Sequence, residues 1–238
     1  SVTFGDGAPE GSTPTSGGQF SLDGNGHVKV EGFDWFALVH EVGDGDYTLS
    51  CWLKPDAAAL SGDKFIWGQT NQGVHNGVRG SGTLHTAHWG SDSNAATPLE
   101  ADEWVHALWT YNGAEGLANI YLNGENDLQD FSQNPPNGSG TLILGGRNNG
   151  TENFNGCLDD MAIWAEVLDA DAIALLAGGA SPINVGGVDS EPDGMLDSFE
   201  EKYGLEIGVD DSALDKDEDG LTNLEEHNGT VDADGKQI

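Results

Sequence analysis

Residues 103–124, EWVHALWTYNGAEGLANIYLNG, constrain the fold more than any other stretch. In an extended chain, Val105, Ala107, Trp109 and Tyr111 fall on one side and Trp104, His106, Leu108 and Thr110 on the other. Ile120 and Leu122 then alternate with Asn119, Tyr121 and Asn123. Between the two runs, residues 112–116 hold two glycines, and aromatic and β-branched enrichment around such a turn is the pattern of an antiparallel hairpin. The first run is apolar on both sides, so it belongs inside a sheet rather than at its edge. The expectation is an all-β domain with this hairpin in its core.

Residues 19–30, QFSLDGNGHVKV, read as a strand, a glycine turn at 23–26 and a second strand. In 47–55, Tyr47, Leu49, Cys51 and Leu53 alternate with Thr48, Ser50, Trp52 and Lys54. Shorter strands are expected at 65–68, 77–79, 83–89 and 141–144, and a closing strand within 154–168. Asp169 is placed to cap a short helix through Leu176, ended by Gly178 and Gly179. Its stripe of Ala172, Ile173, Leu175 and Leu176 can lie against the sheets. Residues 1–18 form a flexible arm, read either as simple disorder or as a strand lent to a neighbouring subunit. Residues 180–188, with Pro182, Gly186 and Gly187, read as a linker.

Several of these segments share a family resemblance. A tryptophan followed by alternating apolar residues, Tyr111-Asn112-Gly113 and the return strand ending in Tyr121-Leu122-Asn123-Gly124 resemble the laminin-G-like domains. The 19–30 segment resembles that family's opening hairpin, and Trp52 to Pro55 its Trp-x-x-Pro strand end. Residues 154–168 are similar to its closing strand, where Gly156 precedes Leu158-Asp159. The resemblance spans about 19–176 and implies a concanavalin A-like, antiparallel jelly-roll sandwich, set here at 19–179. It also implies an ion at the sandwich rim, for which Asp23 and either Asp159 or Asp160 are the matching acids; the alternative is ordinary turn and strand-end aspartates.

Charge excludes some partners. With 41 acidic residues against 8 basic ones, net −33, the surface repels nucleic acid and anionic lipid. No apolar run is long enough to insert into a bilayer, and no signal peptide is read. Starting on Ser1, the chain reads as a processed protein or a fragment. The acidity suits a salt-adapted, soluble surface, bound cations, or both. The 36 glycines argue against a helical bundle. Cys51 and Cys157 would close a disulfide in a secreted domain and stay buried thiols in a cytosolic one; neither has zinc-ligand spacing.

From residue 189 onward the acids fall into a pattern. Asp215, Asp217, Asp219, Gly220, Leu221, Asn223 and Glu226 satisfy D-x-[DN]-x-[DN]-G followed by five residues and Glu. Calcium takes six to eight oxygens. Carboxylates at the first, third and fifth positions wrap it, the Leu221 carbonyl and the Asn223 position continue the shell, and Glu226 closes it. Asp189, Glu191, Asp193, Gly194, Met195, Asp197 and Glu200 repeat the layout 26 residues earlier, with Glu191 replacing the usual Asp or Asn. Phe199, Tyr203 and Leu205 are expected to pack on Leu221 and Leu224. The pair resembles the EF-hand-like, thrombospondin type 3-like calcium repeats of bacterial surface proteins, which implies a loop-helix module over 189–238 with Ca2+ as its cofactor. Residues 229–235 look like the start of a third loop without its closing Glu.

No carboxylate pair on one strand, G-x-S-x-G, H-E-x-x-H or phosphate loop is present, so catalysis is not expected. His75, His85 and His88 read as lying in glycine-rich loops without a metal or triad pattern. Two functions then stand side by side. One is calcium-dependent extracellular or cell-surface adhesion, with a glycan or protein held by Trp67, Gln69, Asn71, His88, Trp89, Asp92 and Asn94; the competing reading makes Trp67 and Trp89 core residues. The other is a self-assembling subunit of a calcium-stabilised fibre or sheath.

Overall fold

The computed structural model describes residues 2–4, 20–23, 25, 27–30, 45–69, 73–136, 140–147, 152–182, 185–187, 189–218 and 220–227. Its strands are β1 Val2–Phe4, β2 Phe20–Asp23, β3 Val28–Val30, β4 Tyr47–Pro55, β5 Lys64–Gln69, β6 His75–Arg79 and β7 Thr83–His88. They continue with β8 Ser91–Pro98, β9 Val105–Asn112, β10 Leu117–Leu122, β11 Glu125–Ser132, β12 Leu142–Leu144 and β13 Asn155–Trp164. Two antiparallel sheets result, in the orders β1-β2-β13-β4-β9-β10-β11 and β3-β12-β5-β6-β7-β8. The main hydrophobic core joins residues from both.

The expected hairpin is present, with Trp109 opposite Ile120. β9 lies between β4 and β10, and its two apolar faces are covered by two different clusters. Ala107, Trp109 and Tyr111 enter the main core together with Tyr47, Leu49, Cys51 and Leu53 of β4. Leu108, on the opposite face, belongs to a second cluster with Leu168, Ile173, Leu176 and Val185. That cluster is closed by helix α1, Ala170–Ala177, whose N-cap Asp169 accepts a hydrogen bond from the Ala172 amide at 2.9 Å. Val185, inside the stretch read as a linker, is therefore packed, and the Trp164 indole donates to its carbonyl at 2.7 Å.

Three expectations are corrected. The 19–30 segment is not a hairpin: β2 pairs with β13 in one sheet and β3 with β12 in the other, so its glycine turn crosses the sandwich. Part of the arm is ordered, since Val2–Phe4 pairs with β2; residues 5–19 lie outside the described ones. Edge strands β8 and β11 were not expected, because SDSNAATP and ENDLQDFS lack apolar alternation. Polar sequence at an edge discourages pairing with other chains. Of the two readings left open for the cysteines, the structure takes the second: Cys51 and Cys157 are not joined in a disulfide. Cys157 stands opposite Lys54, three residues and about 10 Å along β4 from Cys51, beyond the ~7 Å reach of a disulfide.

Gly156 has φ +135°, and a Cβ there would lie 2.2 Å from the Lys54 carbonyl oxygen. Both the backbone conformation and the close approach of β4 require glycine. Gly156→Ala is expected to lower stability by about 3 kcal/mol or more, read as a shift in the urea midpoint.

After residue 189 the described chain holds two short helices, α2 Asp197–Tyr203 and α3 Asn223–His227. Phe199 packs edge-on against His227 at 4.9 Å between ring centres, and Met195 is fully buried. Tyr203, expected to pack on Leu221 and Leu224, touches Phe199 yet is 52% exposed. Among the described residues no helix is long and apolar enough to cross a membrane.

Candidate functional site

Alternation along β6 and β7 divides their side chains. Val78 and Leu84 enter the core, whereas His75, Arg79 and His85 do not. With Asp63, Phe65, Trp89, Gly90, Asp92 and Arg147, the residues His75 and Arg79 line a pocket of about 370 Å³ on the outer face of the six-stranded sheet. That volume is in the range of small-ligand sites. Strand register builds it: His85 stands opposite both Gly77 and Asn94, which brings β6, β7 and β8 side chains to one place.

Arg79 organises the polar wall. Its Nε donates to Asp63 at 3.1 Å and its Nη1 to Asp92 at 2.7 Å. The same Nη1 lies 3.1 Å from His85 Nε2. Because a guanidinium only donates, Nε2 is the accepting nitrogen and Nδ1–H goes to Asn94 Oδ1, 2.8 Å away. Burial holds His85 below the ordinary imidazole range and, with His85 as neighbour, pushes His75 down to about 4. Both rings are neutral at pH 7. His75 Nδ1 is buried without a hydrogen-bond partner, and Trp89 is 53% exposed at the pocket.

His75, His85 and Asp92 each offer a ligand atom within 4.8 Å of the others, an arrangement compatible with a metal ion. Arg79 Nη1, however, already sits between His85 Nε2 and Asp92 Oδ2, and supplies the positive charge those acceptors need. His85 and Asp92 are thereby satisfied, whereas His75 Nδ1 is not. His75 and His85 were missed in the sequence as members of this trio because the three are 10 and 7 residues apart on separate strands, not in loops.

Of the residues assigned to ligand contact, Trp89 and Asp92 line the pocket and Asn94 braces His85. Trp67 is corrected: it is 2% exposed and part of the core. Gln69 is buried and accepts from the Val74 amide at 3.0 Å, and His88 is buried against the Tyr47 hydroxyl at 2.8 Å. Asn71 lies outside the described residues. Asp23 and Asp159 are not brought together. Asp23 pairs with Asn155, and Asp159 is four residues, about 13 Å, further along β13. Asp159 is buried, which raises its carboxyl, and it accepts from the Asp160 amide at 2.9 Å.

The acidic loops repeat in structure as they do in sequence. Asp189 Oδ2 accepts from the Gly194 amide at 3.1 Å, and Asp215 Oδ2 from the Gly220 amide at 3.0 Å. Asp197 Oδ1 accepts from the Ser190 amide at 2.8 Å, and Asn223 Oδ1 from the Lys216 amide at 3.2 Å. Gly194 and Gly220 have φ +91° and +102°, as a sharp loop turn demands.

The closing acids differ. Glu200 is fully buried, and neither of its oxygens has a hydrogen-bond donor; Glu191 Oε1 and Asp193 Oδ2 are buried in the same condition. Glu191, Asp197 and Glu200 each place an oxygen within 4.8 Å of the others. Burial, then Glu191, Asp193 and Asp211, push the Glu200 carboxyl up to about 7. Buried acids without donors leave charge uncompensated, so this is where the residues could hold a hard cation. Glu226 is half-buried, Asp215 and Asp217 are exposed, and Asp219 lies outside the described residues.

No curated protein matches the chain in sequence. Among solved structures it is similar to domain 4 of AbnA, a GH43 extracellular arabinanase from Geobacillus stearothermophilus, in complex with arabinotriose. That likeness is 17% identity over 74% of this chain and 81% of that one, TM-score 0.55. The binding domain of Paraclostridial Mosquitocidal Protein 1 is 19% identical over 74% of this chain and 45% of that one, TM-score 0.52. The binding domain of Botulinum neurotoxin DC, in complex with rat synaptotagmin II, is 17% identical over 79% and 48%, TM-score 0.52. The chain thus spans just under half of each toxin chain. These likenesses establish the fold. The laminin-G-type family model described as the concanavalin A-like lectin/glucanases superfamily matches residues 22–174, and the chain belongs to that family.

Proposed function

We propose that this is a non-catalytic extracellular recognition protein, in which the outer pocket of the sandwich holds a saccharide and the C-terminal loops fold around calcium. The observation that carries the first part is an exposed Trp89 beside the fixed Asp63–Arg79–Asp92 network. A sugar ring presents an apolar C–H face and a rim of hydroxyls. An indole suits the first, and immobilised charged donors and acceptors suit the second. Asp63 and Asp92 are both engaged by Arg79, so neither stands open as one of the two carboxylates a glycosidase needs.

In the calcium part, Asp189, Glu191, Asp193, the Met195 carbonyl, Asp197 and Glu200 would hold one ion. Asp215, Asp217, Asp219, the Leu221 carbonyl, Asn223 and Glu226 would hold another. The bound ions supply compensating charge, and the unpartnered oxygens around Glu200 support that reading.

The relatives solved with arabinotriose and with synaptotagmin II set the two ligand classes to compare, a glycan and a protein. On a glycan array, the native protein is expected to bind saccharides, and Trp89→Ala to weaken them about tenfold, ~1.4 kcal/mol. Its melting temperature should not move, because the side chain is largely in solvent. An array without any Trp89-dependent signal defeats the saccharide reading.

A further inference from the structure

We infer that the saccharide taken by the outer pocket carries a carboxylate, as a hexuronic acid does, and that Arg147 receives it. This rests on the saccharide reading of the pocket and adds the chemical class. The chain has only two arginines, Arg79 and Arg147, and both line this pocket; the remaining six cations are lysines, and among the described residues no lysine is in the lining. With a net charge of −33, most of the surface repels an anion. Here the two guanidinium groups are set against Asp63 and Asp92 in the lining and Glu152 behind Arg147.

The two arginines are differently engaged. Arg79 is braced by Asp63, Asp92 and His85 and serves as a fixed part of the wall. Arg147 bonds Glu152 through Nε alone, with its guanidinium 5.1 Å above the centre of the Phe65 ring. Its two Nη groups, four N–H donors, have no partner among the described residues. The side chain is only 14% exposed, so these donors sit where little water reaches them. An Nη1/Nη2 edge presents two nearly parallel N–H bonds, the fork that a planar carboxylate takes with both oxygens. A lysine in this place would offer a point charge without that match. Asp63 and Asp92 make the Arg79 end unfavourable for a second anion, which directs the carboxylate to Arg147. Trp89 remains for the sugar ring.

Glucuronate and galacturonate, their methyl esters and the neutral parent hexoses can be titrated against the calcium-loaded full chain by calorimetry at low and moderate salt. The acids are expected to bind at least tenfold more tightly than esters or neutral sugars, with the preference shrinking as salt rises. Arg147→Gln should remove the preference and keep the residual neutral-sugar affinity. The ester series tests the same point on native protein, should the variant fold poorly. Equal, Trp89-dependent affinity for acid, ester and neutral sugar overturns the carboxylate inference and leaves the saccharide reading standing. Absence of binding by every sugar, or binding indifferent to Trp89→Ala, overturns both.

Discussion

Calcium added to the chelated protein is expected to protect residues 189–227 from proteolysis, and chelation to expose them while the sandwich keeps its own melting transition. The reason lies in the first loop. Glu200 is fully buried with both oxygens lacking donors, and Glu191 and Asp193 stand beside it with one unpartnered oxygen each. Asp211, ahead of the second loop, adds to the negative field on Glu200. Without a cation, folding must bring these acids out of water and against one another. With saturating calcium, ions bind the folded loops and not the unfolded chain, which at a thousandfold excess over Kd adds about 4 kcal/mol for each site. Calorimetry should count two ions in the native protein and one in Glu200→Ala. Asp215→Ala with Glu226→Ala should remove the other. A tail equally protease-resistant in calcium and in chelator would show that the loops fold without metal.

The parts of this fold that could be read in advance are those where side-chain period and burial coincide. Glu103 to Gly124 announces itself because β9 is covered on one face by the main core and on the other by α1, so both of its faces are apolar. β8 and β11 escape because an edge strand exposed to water carries no such period. The opening segment was placed correctly as two strands and wrongly as a hairpin. Period cannot say whether a short glycine turn returns within a sheet or crosses to the other. The acidic loops are legible because the spacing of their acids is local. The pocket is not, since Phe65, His75, Arg79 and Asp92 meet only through the register of separate strands, and Arg147 joins them from the segment after β12. One compositional signal pointed to it: a chain this acidic has just two arginines.

Lowering the pH from 7 to 4 is expected to destabilise the sandwich by about 3–6 kcal/mol through two buried histidines. His106 is 1% exposed on β9, with one ring nitrogen 2.8 Å from the Ser50 hydroxyl and Nδ1 without a partner. Burial pushes it down to about 4; His75, buried beside neutral His85, is also held at about 4. In the unfolded chain both return to about 6.5. Between these values the unfolded state binds more protons than the native one, so stability falls as pH falls. The contribution is complete above pH 6.5 and is lost progressively down to about 4. Each ring accounts for roughly 3 kcal/mol, and the sum is smaller if acid opens the pocket around His75 and lets it protonate in place. Carboxylates titrate over part of the same range, so the informative quantity is the difference between native protein and His106→Gln. Urea midpoints measured at fixed chelator from pH 7.5 to 4.5 should show a shallower acid decline in the variant, by close to one proton near pH 5. Parallel curves for the two proteins would mean that His106 takes up its proton inside the folded sandwich, and that its burial between β4 and β10 carries no pH-dependent share of stability.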